Sequence, residues 1–151
     1  EAAKLTLLPE KHVITLHGES LLLLHGDTLC TLDVRYQAFR KRTQQQWLQW
    51  FFLHLPLRLR HKIAARLRKQ SHAMRPEWNL AMMDVVEHAV LSDCQDYRVA
   101  CMIHGHTHQP GIHFYQWAGK RVSRYTLSDW GQEGNYLVID AAGHKTLAYF
   151  H

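Results

Sequence analysis

Two apolar segments of the sequence run directly into polar loops that contain histidine. Residues 21–24 are four consecutive leucines, and His25, Gly26 and Asp27 follow them. Residues 98–103 form a second, largely apolar segment, which leads into the sequence His-Gly-His-Thr-His at 104–108. Short runs without polar positions are typical of strands that are buried on both faces of a sheet. The pattern predicts an α/β fold in which two strands end in histidine loops that lie side by side.

Three glycine turns divide the remaining strand-like segments into antiparallel hairpins. Gly18, Gly119 and Gly143 each stand between two apolar segments. Glycine adopts the positive φ angles that tight hairpin turns require. The predicted hairpins cover residues 13–24, 112–127 and 136–150. Because strands come before and after a helical insert, the fold class is predicted to be α/β with α+β character.

A helical insert is predicted between the two histidine loops. The spacing of apolar residues indicates helices from residue 36 to about residue 69, and Pro56 divides them because a proline interrupts a helix. Residues 71–75 are predicted to form a polar loop. Residues 76–91 are predicted to form a further helix that begins near Pro76.

The positive charge of the chain is concentrated in this insert. Residues 34–76 contain eleven Lys or Arg and no Asp or Glu, whereas the whole chain carries a net charge of +5. A block of one sign indicates an anionic partner, which could be nucleic acid, phospholipid or a phosphorylated ligand. A solvated helix face is the structural alternative, and for a basic run it is about as common.

Aromatic residues on the same helices favour a lipid among these partners. Trp and Phe side chains suit the interface of a membrane, where Arg and Lys pair with phosphates. Binding to nucleic acid would require aromatics on an open sheet or a helix that fits a groove, and no nucleic-acid partner is expected. An ordinary helical hairpin with its aromatics packed inward remains the alternative. The longest apolar stretch, residues 47–57, is shorter than the roughly 20 residues of a membrane-spanning helix.

The histidines at the predicted strand ends are candidate metal ligands. Neutral imidazole is the commonest protein ligand for transition metals. If the loop is extended, His106 and His108 project to the same side, and His25 is a candidate third ligand. A histidine-rich surface loop is the alternative. A two-metal site also needs a bridging carboxylate, and the nearest candidates are Asp27 and Asp33, neither of which directly follows a strand.

The number of cysteines indicates the redox environment in which the protein works. Three cysteines, an odd number, stand at positions 30, 94 and 101. They are too few for a disulfide framework, so reduced thiols in a cytoplasmic protein are predicted.

Several longer motifs resemble one known family. Thr-Leu-Cys follows the first histidine loop, Tyr-Gln-Ala-Phe occupies residues 36–39, Ile-Ala-Ala-Arg occupies 63–66 and Ile-His-Gly-His-Thr-His occupies 103–108. Gly-His-x-His alone marks only the broad calcineurin-like metallophosphoesterase superfamily. Together the motifs resemble the UDP-2,3-diacylglucosamine hydrolases of lipid A biosynthesis, and the resemblance runs along nearly the whole chain.

The resemblance implies a fold, a reaction and a cofactor. The fold is a β-sandwich flanked by helices, with residues 34–76 as a helical lid. The reaction is hydrolysis of the pyrophosphate bond of UDP-2,3-diacylglucosamine to UMP and 2,3-diacylglucosamine 1-phosphate (lipid X), by hydroxide that metal activates. The cofactor is a pair of Mn²⁺ ions, and the implied location is the cytoplasmic face of the inner membrane, with peripheral attachment.

The resemblance also implies roles for individual residues. His25, His106 and His108 would be metal ligands, and His106 would be catalytic and touch the substrate as well. Four further residues occupy substrate-contact positions or lie beside them: Asp33, Arg68, Ser71 and Arg75. The family has a Lys where this sequence has Trp78, and Arg75 is a candidate to replace that charge.

Three family motifs are not present in the sequence. They are an N-terminal Asp-x-His, a Gly-Asp that bridges the metals and a Gly-Asn-Arg-Asp loop. The Gly-Asp at 26–27 belongs to the later motif that begins at His25. We therefore expect residues 1–151 to be the C-terminal part of one metallophosphoesterase domain and to be inactive alone. Two alternatives remain open: another calcineurin-like phosphoesterase, such as a nucleotidase or nuclease, and a fragment that binds lipid or metal without turnover.

Overall fold

A computed structural model describes residues 5–74, 84–131 and 134–150, with only the backbone described for 71–74. Contacts within the chain divide it into two compact units. The first unit contains residues 1–30 and 85–151, and both histidine loops belong to it. The second unit contains residues 31–84, which include the basic insert.

Among the described residues, seven strands form two sheets in the first unit. They are β1 (Lys11–Leu16), β2 (Glu19–Leu24), β3 (Cys101–His104), β4 (Gly111–Trp117), β5 (Lys120–Thr126), β6 (Gly134–Ile139) and β7 (Lys145–Phe150). The larger sheet has the order β1-β2-β3-β5-β4, and β6 and β7 form a second, two-stranded sheet. Within the larger sheet β2, β3 and β5 are parallel neighbours, so their carboxyl ends lie at one edge.

The larger sheet is covered on both faces. Successive side chains of a strand point to opposite faces, so neighbouring residues of β2 enter different cores. Leu22 packs in one core with Val90 of helix α4 (Glu87–Asp96). Leu21 packs in the other core, against which Leu137 of β6 lies. Helix, mixed sheet and hairpin therefore form three layers, which confirms the predicted α/β class and is compatible with part of a metallophosphoesterase fold.

The three predicted hairpins are present in the structure. β1 pairs with β2, β4 with β5, and β6 with β7, all antiparallel. Gly18, Gly119 and Gly143 have φ angles of 79°, 76° and 83°, as the turns between these strands require.

The second unit contains three of the described helices. They are α1 (Val34–Thr43), α2 (Gln46–His54) and α3 (Leu57–Met74). The predicted break at Pro56 is confirmed, since α2 ends before it and α3 begins after it. No side chain of α1 or α2 is buried. In the part of the chain that the structure describes, no helix has the length and apolar character that crossing a bilayer needs.

Two predictions about the segment between α3 and α4 are wrong in part. Ser71 belongs to α3 rather than to a loop, because residues 71–74 contain no proline or glycine and the helix simply continues. Residues 84–86 are not helical, and the backbone N–H of Val86 donates to the carbonyl of Leu29 at 3.0 Å. Arg75, Pro76 and Trp78 lie outside the described residues.

Candidate metal centre

Backbone hydrogen bonds connect the loops at the carboxyl edge of the parallel strands. The N–H of Gly105 donates to the carbonyl of His25 at 3.0 Å, which joins the loops after β2 and β3. The N–H of Leu127 donates to the carbonyl of His104 at 2.8 Å, which joins β3 to the loop after β5. Three loops that are far apart in the sequence thus form one surface of the first unit.

His25 and His106 meet on this surface. His106 Nδ1 lies 3.2 Å from His25 Nε2, and the ring centroids are 5.0 Å apart at an interplanar angle of 67°. Metal–nitrogen bonds of about 2.0–2.1 Å that meet at about 90–110° would place two imidazole nitrogens about 2.9–3.4 Å apart. The separation therefore suits two ligands of one ion as well as it suits a hydrogen bond between the rings. The donor chemistry and the spacing of this pair fit a divalent metal.

The backbone of the second loop is not extended, contrary to the premise on which His106 and His108 were expected to converge. His106 has a φ of 66° and His108 a φ of 53°. These left-handed conformations are uncommon for residues other than glycine, and they concentrate at functional sites where the surroundings hold them in place. Through the described ranges, no three His, Cys, Asp or Glu side chains come together as a metal-binding group.

His108 contacts a carboxylate. Its Nδ1 lies 3.1 Å from Asp129 Oδ2, and both side chains are more than half exposed. Asp129 stands in the loop after β5, at the edge where the other histidine loops lie. Sequence reasoning missed Asp129. Its relevance becomes visible only because β5 is the parallel neighbour of β3, which the chain order does not reveal.

His104, the first histidine of the motif, is structural. Its side chain belongs to the buried part of the sheet, at 2 % exposure. Nδ1 donates to the Gly105 carbonyl at 2.8 Å. Nε2 accepts from the hydroxyl of Thr126 at 3.2 Å and faces a guanidinium nitrogen of Arg124 at 3.4 Å. An arginine only donates, so this arrangement requires the tautomer that carries its proton on Nδ1.

Burial keeps His104 uncharged. It lowers the pKa of His104 to about 4, although the bond to the Gly105 carbonyl acts in the opposite direction. The positive charge of Arg124 lowers it further. A neutral, fully enclosed imidazole therefore anchors the start of the loop that carries His106 and His108.

Gly26 allows the first loop to approach this anchor. Its φ is 111°, and a Cβ added to it would lie 2.6 Å from His104 Nδ1 and 3.1 Å from the Gly105 carbonyl oxygen. Side-chain contacts of that length do not occur, so only glycine lets the two histidine loops pack as they do. Gly26 thus belongs to the site for a structural reason, which its position next to His25 in the sequence did not reveal.

Apart from His106, the expected substrate contacts stand in the segment 31–84 that makes up the second unit. Asp33 caps α1, where its Oδ1 accepts from the N–H of Tyr36 at 2.9 Å. Arg68 is exposed on α3. Ser71 lies on the same helix, but its side chain is outside the described part. Arg75 lies outside the described residues altogether.

Several bacterial proteins that share one name are similar in sequence to this chain. A protein from Histophilus somni named UDP-2,3-diacylglucosamine hydrolase is 42 % identical to this chain over 139 residues, which is 92 % of this chain and 58 % of the relative. Proteins of the same name from Salmonella arizonae and Escherichia fergusonii are 41 % and 44 % identical over 145 and 137 residues, or 60 % and 57 % of their lengths. This chain is homologous to the C-terminal part of these hydrolases.

The homology confirms the resemblance that the sequence motifs indicated. The chain spans about three fifths of the length of the hydrolases that it matches. No family model matches the chain.

Proposed function

We propose that this chain is the C-terminal part of an enzyme that hydrolyses the pyrophosphate bond of UDP-2,3-diacylglucosamine to UMP and 2,3-diacylglucosamine 1-phosphate. The observation that carries the proposal is the contact between His25 and His106, whose ring nitrogens lie 3.2 Å apart at the carboxyl edge of the sheet. The name of the homologous hydrolases supports the choice of substrate. The reaction belongs to lipid A biosynthesis.

His25, His106 and His108 are the residues of this chain that would hold metal, which we propose to be Mn²⁺, two ions in the complete site. Bound metal would supply an activated water at neutral pH and offset the negative charge of the phosphates. The 3.2 Å separation of His25 Nε2 and His106 Nδ1 supports this assignment, because it suits two ligands of one ion. His106, half-buried between the two loops, is also proposed to touch the phosphoryl group under attack.

The second unit is proposed to be a lid, residues 34–76, that binds the lipid and phosphate parts of the substrate. Arg68 offers an exposed guanidinium, which suits a phosphate. Asp33, Ser71 and Arg75 are proposed as further contacts. One oxygen of Asp33 is engaged at the start of α1, which fixes the carboxylate relative to the helix.

The same unit is proposed to attach the protein to the cytoplasmic face of the inner membrane. Trp47 is 67 % exposed and Trp50 62 % exposed, and Phe51 and Leu53 beside them are also exposed. Exposed aromatics among arginines and lysines are the composition of helices that lie at a bilayer surface. This location would bring the site close to a substrate that carries two acyl chains.

Replacing both Trp47 and Trp50 by serine is expected to weaken membrane binding. The chain should sediment with phosphatidylglycerol-containing vesicles, and loss of two interfacial tryptophans should lower its partition coefficient about tenfold. Trp117→Ser, on β4 of the other unit, is the matched control, since this residue is 46 % exposed. Equal sedimentation of the double variant and the control would contradict attachment through α2.

The proposed reaction is tested with the chain joined to the N-terminal part of the Escherichia fergusonii relative. With Mn²⁺ present, this protein should release UMP from UDP-2,3-diacylglucosamine, and the 151-residue chain alone should release none. Hydrolysis of nucleotides or nucleic acid in preference to the glycolipid would identify a different phosphoesterase. Binding of Mn²⁺ without any hydrolysis would favour a fragment that only binds.

A further inference from the structure

The carboxylate beside His108 is held by a braced loop. Ser128, directly before Asp129, donates through its N–H to Asn135 Oδ1 at 2.8 Å. Trp130, directly after it, donates through Nε1 to the carbonyl of Asn135 at 3.2 Å. Asn135 is 1 % exposed. The residues on both sides of Asp129 are therefore hydrogen-bonded to one buried residue of β6. These bonds fix the backbone at Asp129, although its own side chain is exposed.

The carboxylate of Asp129 favours one tautomer of His108. Asp129 Oδ2 lies 3.1 Å from His108 Nδ1, and a negative charge at that distance favours the form of the ring with its proton on Nδ1 over the form with a lone pair there. The lone pair of the neutral ring then lies on Nε2, the nitrogen that remains available to a metal. A histidine side chain free in water favours the opposite tautomer, so the contact changes the state of the ring.

Histidines that bind metals generally donate their other ring N–H to a carboxylate or a carbonyl. In the described part of the chain, the carboxylate of Asp129 lies 3.1 Å from His108 Nδ1. This neighbour is a sign, separate from the contact between His25 and His106, that the His108 ring is suited to be a ligand.

We propose that Asp129 is a positioning residue, which orients His108 and holds it in the tautomer that offers Nε2 to the metal. The proposal rests on the proposed function, because it assumes that this surface binds a divalent metal. It adds a residue of the third loop to the site. The carboxylate would also hold the exposed ring of His108 in place, which packing does not do.

The first test is the tautomer of His108 in the metal-free chain. At about pH 8, where imidazoles are neutral, two-dimensional ¹H–¹⁵N spectra distinguish the two forms, and His108→Gln identifies the signal. The unaltered chain should show the proton on Nδ1. Asp129→Ala should shift His108 largely to the other tautomer, whereas Asp129→Asn, which keeps an oxygen acceptor, should preserve Nδ1–H in part.

The second test is the affinity for Mn²⁺, measured by titration of the electron paramagnetic resonance signal of the free ion. Asp129→Ala should weaken binding about 10–100-fold. Asp140→Ala is the matched control, because Asp140 is an exposed carboxylate whose Oδ2 likewise lies close to a histidine, 3.0 Å from His144 Nδ1 in the β6–β7 turn. This control should bind Mn²⁺ as the unaltered chain does.

The outcomes separate this proposal from the proposed function. A chain that binds no Mn²⁺ while Asp129→Ala still changes the tautomer would count against the metal site and not against the orienting contact. An unchanged tautomer in Asp129→Ala would overturn the positioning role. A weaker affinity with an unchanged tautomer would overturn it as well, because the carboxylate would then act only through its charge.

Discussion

His106→Ala, in the chain joined to the N-terminal part of a relative, is expected to lower the rate of UMP release from UDP-2,3-diacylglucosamine by about 10³-fold, the loss seen when one group that stabilises a developing charge is removed. The alanine removes a ring that faces His25 Nε2 at 3.2 Å. It also removes the proposed contact with the phosphoryl group. Metal affinity and turnover should therefore fall together.

The fold should survive this change. His106 is only half-buried, and the neighbouring anchor of the loop is His104. The thermal midpoint of His106→Ala should lie within a few degrees of the parent protein. His144→Ala, in an exposed turn, serves as the control and should keep full activity. Near-normal turnover of His106→Ala would remove His106 from the catalytic site.

The local parts of the fold were accessible from the sequence. A hairpin depends on its turn, and Gly18, Gly119 and Gly143 stand next to the segments that they join. The break at Pro56 is equally local. The extension of α3 through Ser71 and the extended backbone at Val86 were missed because neither residue carries a strong signal. What places Val86 is its bond to Leu29, which is distant in the sequence.

The histidine loop shows where sequence reasoning stops. Met102 is buried in the core below α4, and a strand brings every second residue to the same face. The same alternation places His104 on that face, so its burial was deducible. The neighbour of His108 was not deducible, because Asp129 reaches it only through the parallel pairing of β3 with β5. Such pairing sets long-range contacts that no spacing in the sequence encodes.

Gly26→Ala is expected to destabilise the chain by about 2–5 kcal/mol. One part of this is the cost of a positive φ for a residue with a Cβ, about 1–2 kcal/mol, since the φ of Gly26 is 111°. The other part is crowding of a packed interior, about 1–3 kcal/mol, because the new methyl group would lie 2.6 Å from His104 Nδ1. Relief requires His104 to leave its bonds with the Gly105 carbonyl and Thr126.

Urea unfolding of Gly26→Ala and Gly18→Ala separates these two contributions. Gly18 has a φ of 79° and nothing within 4 Å of an added Cβ, so its alanine variant bears the backbone cost alone. Gly26→Ala should therefore lose more stability than Gly18→Ala, and it should also bind Mn²⁺ more weakly, because a displaced His104 shifts the loop that carries His106. Equal losses of unfolding free energy in the two variants would mean that the His104 side chain can move away from an added methyl group at no cost. In that case the close packing of Gly26 against His104 would not hold the two histidine loops together.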